Sequence, residues 1–105
     1  MMRIEAVIRP DKKWKVRDAL TEAGYPFTKY GSEGIGSQLG IKEIEGKPYR
    51  FEFLEKVTFV CVVKDEEVDR VCDLIAEAAY TGRPGDGKIF ISRIEGIRKI
   101  RDMKG

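Results

Sequence analysis

The chain has 105 residues, 42% of them hydrophobic and 36% charged, with Lys+Arg 20 against Asp+Glu 18, for a formal net charge of +2. That length makes one domain, 1–105, with enough apolar residues to bury a core unaided. The near-balanced charge argues against a nucleic-acid partner, and the absence of histidine removes Ser-His and Cys-His catalysis and histidine-ligated zinc. Two cysteines, Cys61 and Cys72, are too few for a disulfide scaffold or a four-cysteine metal site. No apolar run approaches the ~18 residues that span a bilayer, so no membrane insertion is expected. The opening Met-Met-Arg-Ile-Glu carries no signal-peptide core, and the expected location is cytoplasmic.

Arg3 to Arg9 alternates Ile4, Ala6 and Ile8 against Glu5, Val7 and Arg9, which predicts a strand. Pro10-Asp11 ends it and offers Asp11 as a helix N-cap. From Lys12 to Ala23, Val16, Ala19, Leu20 and Ala23 form one apolar stripe, and Gly24 closes this helix. Trp14 is expected to pack. Tyr25 to Tyr30 predicts a second strand, and Gly31 to Arg50, rich in glycine and charge, a long loop. Its part from about 36 to 52 is expected to be flexible.

Phe51 to Val63 is the strongest strand signal, nearly all apolar from Val57 onward. Asp65 is expected to cap a second helix with the stripe Val68, Val71, Cys72, Ile75, Ala78 and Ala79. Thr81 to Gly87 is a loop by composition, Lys88 to Ile94 a fourth strand, and 95–105 a charged tail. The order βαββαβ predicts an α+β, ferredoxin-like fold with a four-stranded antiparallel sheet. Two helices cover one face of such a sheet. Val60 and Val62 are apolar on the other, which predicts a closed oligomer.

Gly34-Ile35-Gly36-Ser37-Gln38-Leu39-Gly40 has the wrong spacing, and no following helix, for a dinucleotide fingerprint. Gly82 to Lys88 fits G-x-x-x-x-G-K, but Ile89 stands where a Walker A motif needs Ser or Thr, and the loop leads into a strand rather than a helix. Such a loop is either a plain turn or an anion-binding nest with Lys88 as its point charge. The basic Arg98, Lys99 and Arg101 are either a solvated surface or, with Lys99 and Arg101 on one side of an extended segment, a second reach toward phosphate. Cys61 and Cys72 lie on apolar stripes and are expected in the core. No tightly fixed carboxylate pair argues for acid–base catalysis. Lys88-Ile89-Phe90-Ile91 lacks the Gly-Phe core of an RNA-binding strand.

The run Thr81-Gly82-Arg83-Pro84-Gly85-Asp86-Gly87-Lys88-Ile89-Phe90 resembles the T-G-x-x-G-D-G-K-I-F signature of the P-II nitrogen-regulatory signal proteins. Ile8-Arg9-Pro10 and Val16 to Leu20 resemble the family's first strand and helix. Gly34-x-Gly36-x-Gln38-x-Gly40 resembles the base of its T-loop, and Phe53 to Lys56 the loop's return. Gly24 to Lys29 is similar to the nitrogenase-associated branch.

The resemblance implies a homotrimeric enzyme regulator, not an enzyme. Such a protein binds ATP or ADP between subunits, with Mg2+ and 2-oxoglutarate as further effectors, and docks through residues about 36–52 on a target enzyme, transporter or regulator. It implies nucleotide contacts at Thr28, Gly34, Gly36, Gly85, Asp86, Gly87, Lys88, Lys99 and Arg101. Gln38 and Lys56 would serve Mg2+ and 2-oxoglutarate, and Tyr49 stands at the family's modified tyrosine. The chain departs from the family's pattern at Ser37, Leu39, Glu55 and Lys99. A paralogue sensing another small molecule or anion, for a transporter or a carbon-metabolism enzyme, is the alternative reading.

Overall fold

The alternation at the start of the chain forms strand β1, Met2–Ile8, with Ile4, Ala6 and Ile8 buried. The computed structural model describes residues 1–34, 42–44, 47–49 and 54–103. After a 3-10 turn at Pro10–Lys12 comes helix α1, Lys13–Glu22. Strand β2 is Thr28–Gly34, β3 Lys42–Ile44, β4 Lys47–Tyr49 and β5 Leu54–Val63. Helix α2 is Val68–Ala79 and β6 is Gly87–Arg93. The main sheet has the order β2-β5-β1-β6 with every neighbour antiparallel, and β3 pairs with β4 in a separate two-stranded sheet. This is the expected ferredoxin-like arrangement, with the β3–β4 pair inside the insertion.

Residues directly opposite each other in paired strands share a face. Ile4 faces Cys61, Ala6 faces Phe59 and Ile8 faces Val57. These six meet Val16 and Leu20 of α1 and Val71, Ile75 and Ala79 of α2 in one core. Burying each large apolar side chain there contributes about 1.5–3 kcal/mol. Phe27 closes the β2 end of the core against Phe59, with ring centroids 5.3 Å apart and planes tilted by 55°. Burial pushes the Cys61 thiol up to about 11 and raises Cys72 as well.

The opposite face carries Tyr30, Val60, Val62 and Phe90, with Val62 41% and Phe90 55% exposed. Thr58 is buried on that face, and its hydroxyl lies 3.0 Å from that of Ser32. No helix among the described residues covers this face.

Several local expectations are corrected. Asp11 caps nothing, because it lies inside the 3-10 turn, and α1 starts without a side-chain cap. Asp65 sits in a second 3-10 turn, Asp65–Glu67, and its carboxylate pairs with Arg93 at 3.0 Å. The second strand is Thr28–Gly34 rather than Tyr25–Tyr30. Tyr25 instead completes the end of α1, where its amide donates to the Leu20 carbonyl at 2.9 Å and the Gly24 amide to Thr21 at 3.0 Å. Gly24, at φ 81°, makes that reversal available. Gly31 and Gly34 therefore belong to a strand, not a loop. The tail is not extended throughout, since Ile100–Asp102 is a 3-10 turn. Trp14 is not packed away but half exposed.

One glycine is fixed by contact rather than flexibility. Gly87 has φ 107°, and a Cβ placed on it would lie 1.8 Å from the Val7 carbonyl oxygen. Gly87→Ala should therefore cost at least about 2–3 kcal/mol, a fall in Tm on the order of 10 °C or more. Gly31→Ala, where a Cβ meets nothing within 4 Å, is the control. Equal melting temperatures for the two variants would refute the close approach.

Candidate functional site

The loop between α2 and β6 is built around one carboxylate. Asp86 accepts from the Thr81 hydroxyl, from the Thr81 and Gly82 amides at 2.9 Å each, and from Arg9 Nε at 3.0 Å. Thr81 Oγ1 in turn accepts from the Arg83 amide at 3.1 Å. The Thr81 hydroxyl first, then the Thr81 amide, and after them Arg9 and the Gly82 amide hold the Asp86 carboxyl well below the usual carboxylate range. Asp86 thus shapes the loop from inside.

Two cations fix the loop's carbonyls. Arg9 Nη2 donates to the Pro84 carbonyl at 2.5 Å, and Lys56 Nζ donates to the Gly85 carbonyl at 3.0 Å. Every described peptide bond is trans. In a planar trans peptide the N–H points opposite to its own C=O. The Gly85 amide therefore points away from Arg9 and the Asp86 amide away from Lys56. Neither donates to a protein acceptor among the described residues. Two consecutive outward amides on a glycine-rich turn form an anion-binding concavity.

Lys56 and Lys88 stand beside it on the face of the sheet opposite the helices. Lys88 is opposite Val7, and Val7 is opposite Thr58, which shares a face with Lys56. Burial first, then the Arg9 charge, lowers Lys56 below the usual lysine range. A cleft of about 410 Å³ opens next to Lys56, bounded by Pro10, Lys13, Ser32, Glu33 and Glu55.

The remaining sequence candidates divide. Gly85, Asp86, Gly87, Lys88 and Lys56 come together. Thr28 shares the face of Lys88 but lies on the opposite edge strand, three strand spacings or about 14 Å across the sheet and level with Phe90. Gly34 ends β2 opposite Leu54. Lys99 and Arg101 are exposed, and no hydrogen bond or ion pair joins them to the loop among the described residues. Tyr49 is the last residue of β4, and its side chain lies outside the described residues, as do Gly36 and Gln38 altogether. Arg9 and Thr81 are the site residues that motif reasoning missed. The Arg9-Pro10 break at the end of β1 is the signal that could have found the first.

Comparison with known proteins agrees with the signature in this loop. The family described as nitrogen regulatory protein P-II matches residues 1–104. "Nitrogen regulatory protein P-II 2" of Methanothermobacter thermautotrophicus is 45% identical over 103 residues, covering 96% of this chain and 90% of that protein. "Nitrogen regulatory protein P-II" of Bradyrhizobium diazoefficiens is 45% identical, covering 96% and 92%. "Nitrogen fixation nifHD region GlnB-like protein 1" of Methanothermobacter marburgensis is 42% identical over 102 residues, covering 96% and 94%.

The depressed Asp86 carboxyl sets a pH dependence. A group held low in the folded state contributes stability that is fully present above its unfolded value of about 3.9 and is lost as pH falls through the folded value. Asp86→Asn should therefore melt below the wild type near neutral pH, because its amide group opposes the Thr81 and Gly82 donors. The gap should narrow as pH drops below about 4. Thermal melts across that range check this, and a gap independent of pH refutes it.

Proposed function

The chain belongs to the nitrogen regulatory protein P-II family, and from that membership we propose that it is a homotrimeric, nucleotide-sensing regulator. It binds ATP or ADP between subunits and controls a partner protein through residues about 36–52. The observation that carries this reading is the pair of outward amides at Gly85 and Asp86, with Lys56 and Lys88 beside them. Phosphate oxygens accept hydrogen bonds from such amides, and the lysines supply point charge without bidentate demands. The donor set thus fits a polyphosphate.

Two further observations support the trimer. Val62 and Phe90 leave apolar area on a face that a second and third copy would cover. Thr28 and Lys88 stand at opposite edges of one sheet, and a closed trimer would bring one edge of a subunit beside the opposite edge of the next. The exposed Lys99 and Arg101 would then reach phosphates held by a neighbour's loop. When Mg-ATP is bound, Gln38 would complete the metal's coordination, and Lys56 would leave the Gly85 carbonyl to pair with a 2-oxoglutarate carboxylate.

Calorimetry and light scattering test the core of this reading. Lys88→Ala should weaken ATP and ADP by about tenfold to a hundredfold, which is about 1.5–3 kcal/mol. Arg101→Ala should do the same, more for ATP than for ADP. A stable monomer, or unchanged affinity in both variants, overturns the proposal.

Lys56→Ala tests the second effector separately. It should abolish the 2-oxoglutarate response while weakening ADP less than Lys88→Ala does. If 2-oxoglutarate binds equally well without nucleotide, or not at all, the coupling fails. Sensing of another small molecule then leads.

A further inference from the structure

The first helix carries an exposed tryptophan inside a ring of cations. Trp14 is 50% exposed. Lys13 Nζ lies 4.8 Å from its ring centroid, the Arg17 guanidinium 4.6 Å, and Lys29 Nζ, reaching over from β2, 4.6 Å. Three cations gathered at one indole repel each other, and the ring's negative faces offset only part of that. Arg17 has the adjacent Asp18 at 2.8 Å. Lys13 and Lys29 have no carboxylate within ion-pair distance among the described residues.

We propose that this patch docks an acidic segment of a partner protein, its carboxylates on Lys13, Arg17 and Lys29 and an apolar side chain against the rim of Trp14. The proposal deepens, and rests on, the reading that the chain acts on another protein. Charge complementarity carries it, since incoming carboxylates relieve the repulsion among cations already held in place. Trp and Arg are also the residue types that dominate protein interfaces. The ring faces already hold cations, so they do not offer a stacking platform for nucleic-acid bases. The neighbouring exposed positions of α1 are Lys15, Arg17, Asp18, Thr21 and Glu22. Trp14 is thus a single apolar residue in a polar surface, too little to partition into a bilayer. Lys29 lies on the helix-bearing side of the sheet, opposite Phe59, so the patch is on the other side from the face assigned to the trimer.

Trp14 is the chain's single tryptophan, so its emission reports on the patch alone. The probe is a short synthetic peptide of glutamates around one leucine, titrated into the full chain at low and at raised salt. A saturable emission change is expected, weakening about tenfold as salt rises. It should weaken about tenfold again in Arg17→Gln/Lys29→Gln, with Lys29→Gln alone as the variant if the double one melts early. The same peptide with lysines for glutamates should give no response. No saturable change with the acidic peptide overturns the proposal. So does a stronger response to phosphatidylserine vesicles or to a single-stranded oligonucleotide. ATP affinity measured on the same variants separates the two readings. Unchanged ATP binding with lost peptide binding supports docking at Trp14, and peptide binding in a chain that binds no nucleotide overturns the nucleotide reading alone.

Discussion

The ion pair between Arg9 and Asp86, 3.0 Å long and spanning 77 positions of sequence, is the contact on which the candidate site depends. The three glycines of this loop, Gly82, Gly85 and Gly87, give it many conformations to lose. Arg9 removes that freedom by gripping two points at once, the Asp86 carboxylate and the Pro84 carbonyl. Asp86 then gathers Thr81 and Gly82. The loop's shape follows from side chains that need not touch a ligand. On the side turned away from Arg9 and Lys56 the loop presents the Gly85 and Asp86 amides.

The same geometry explains why Gly87 admits no substitute. As Arg9 draws the loop toward the end of β1, the first residue of β6 comes against the Val7 carbonyl. Sheet and loop meet there and again where Lys56 of β5 holds the Gly85 carbonyl, so the rigidity of the four-stranded sheet passes directly into the loop. The helices reinforce this from behind, since Ile75 and Ala79 of α2 and Ile8 of β1 belong to the same core.

Much of the fold was legible because it rests on periodicity. Ile4, Ala6 and Ile8, the stripe of α2, and the continuous apolar run of β5 all lie where their spacing put them. The misplacements came from local chemistry with two outlets. Asp65 has the right residue type for a cap, but Arg93 is near enough to take its carboxylate, and that proximity exists only after folding. Tyr25 is β-prone by composition, yet the backbone reversal at Gly24 claims its amide. In the site, the glycine-rich run ending in Lys88 could be read directly, because its elements are contiguous. Arg9 could not, since its partner lies at the other end of the chain. For Trp14 the signal was available, because it falls off the Val16, Ala19, Leu20, Ala23 stripe that faces the core.

The two thiols have a practical consequence. Cys61 is buried with its pKa near 11, and Cys72 is half buried with its pKa also raised. At neutral pH both are protonated and slow to react with alkylating reagents. Cys61 points from β5 into the packed layer under α1 and α2, where a reagent enters only when that layer opens. The chain thus carries a native clock for its own breathing. The rate at which Cys61 is trapped by a thiol reagent counts how often the helices lift from the sheet, with no engineered label.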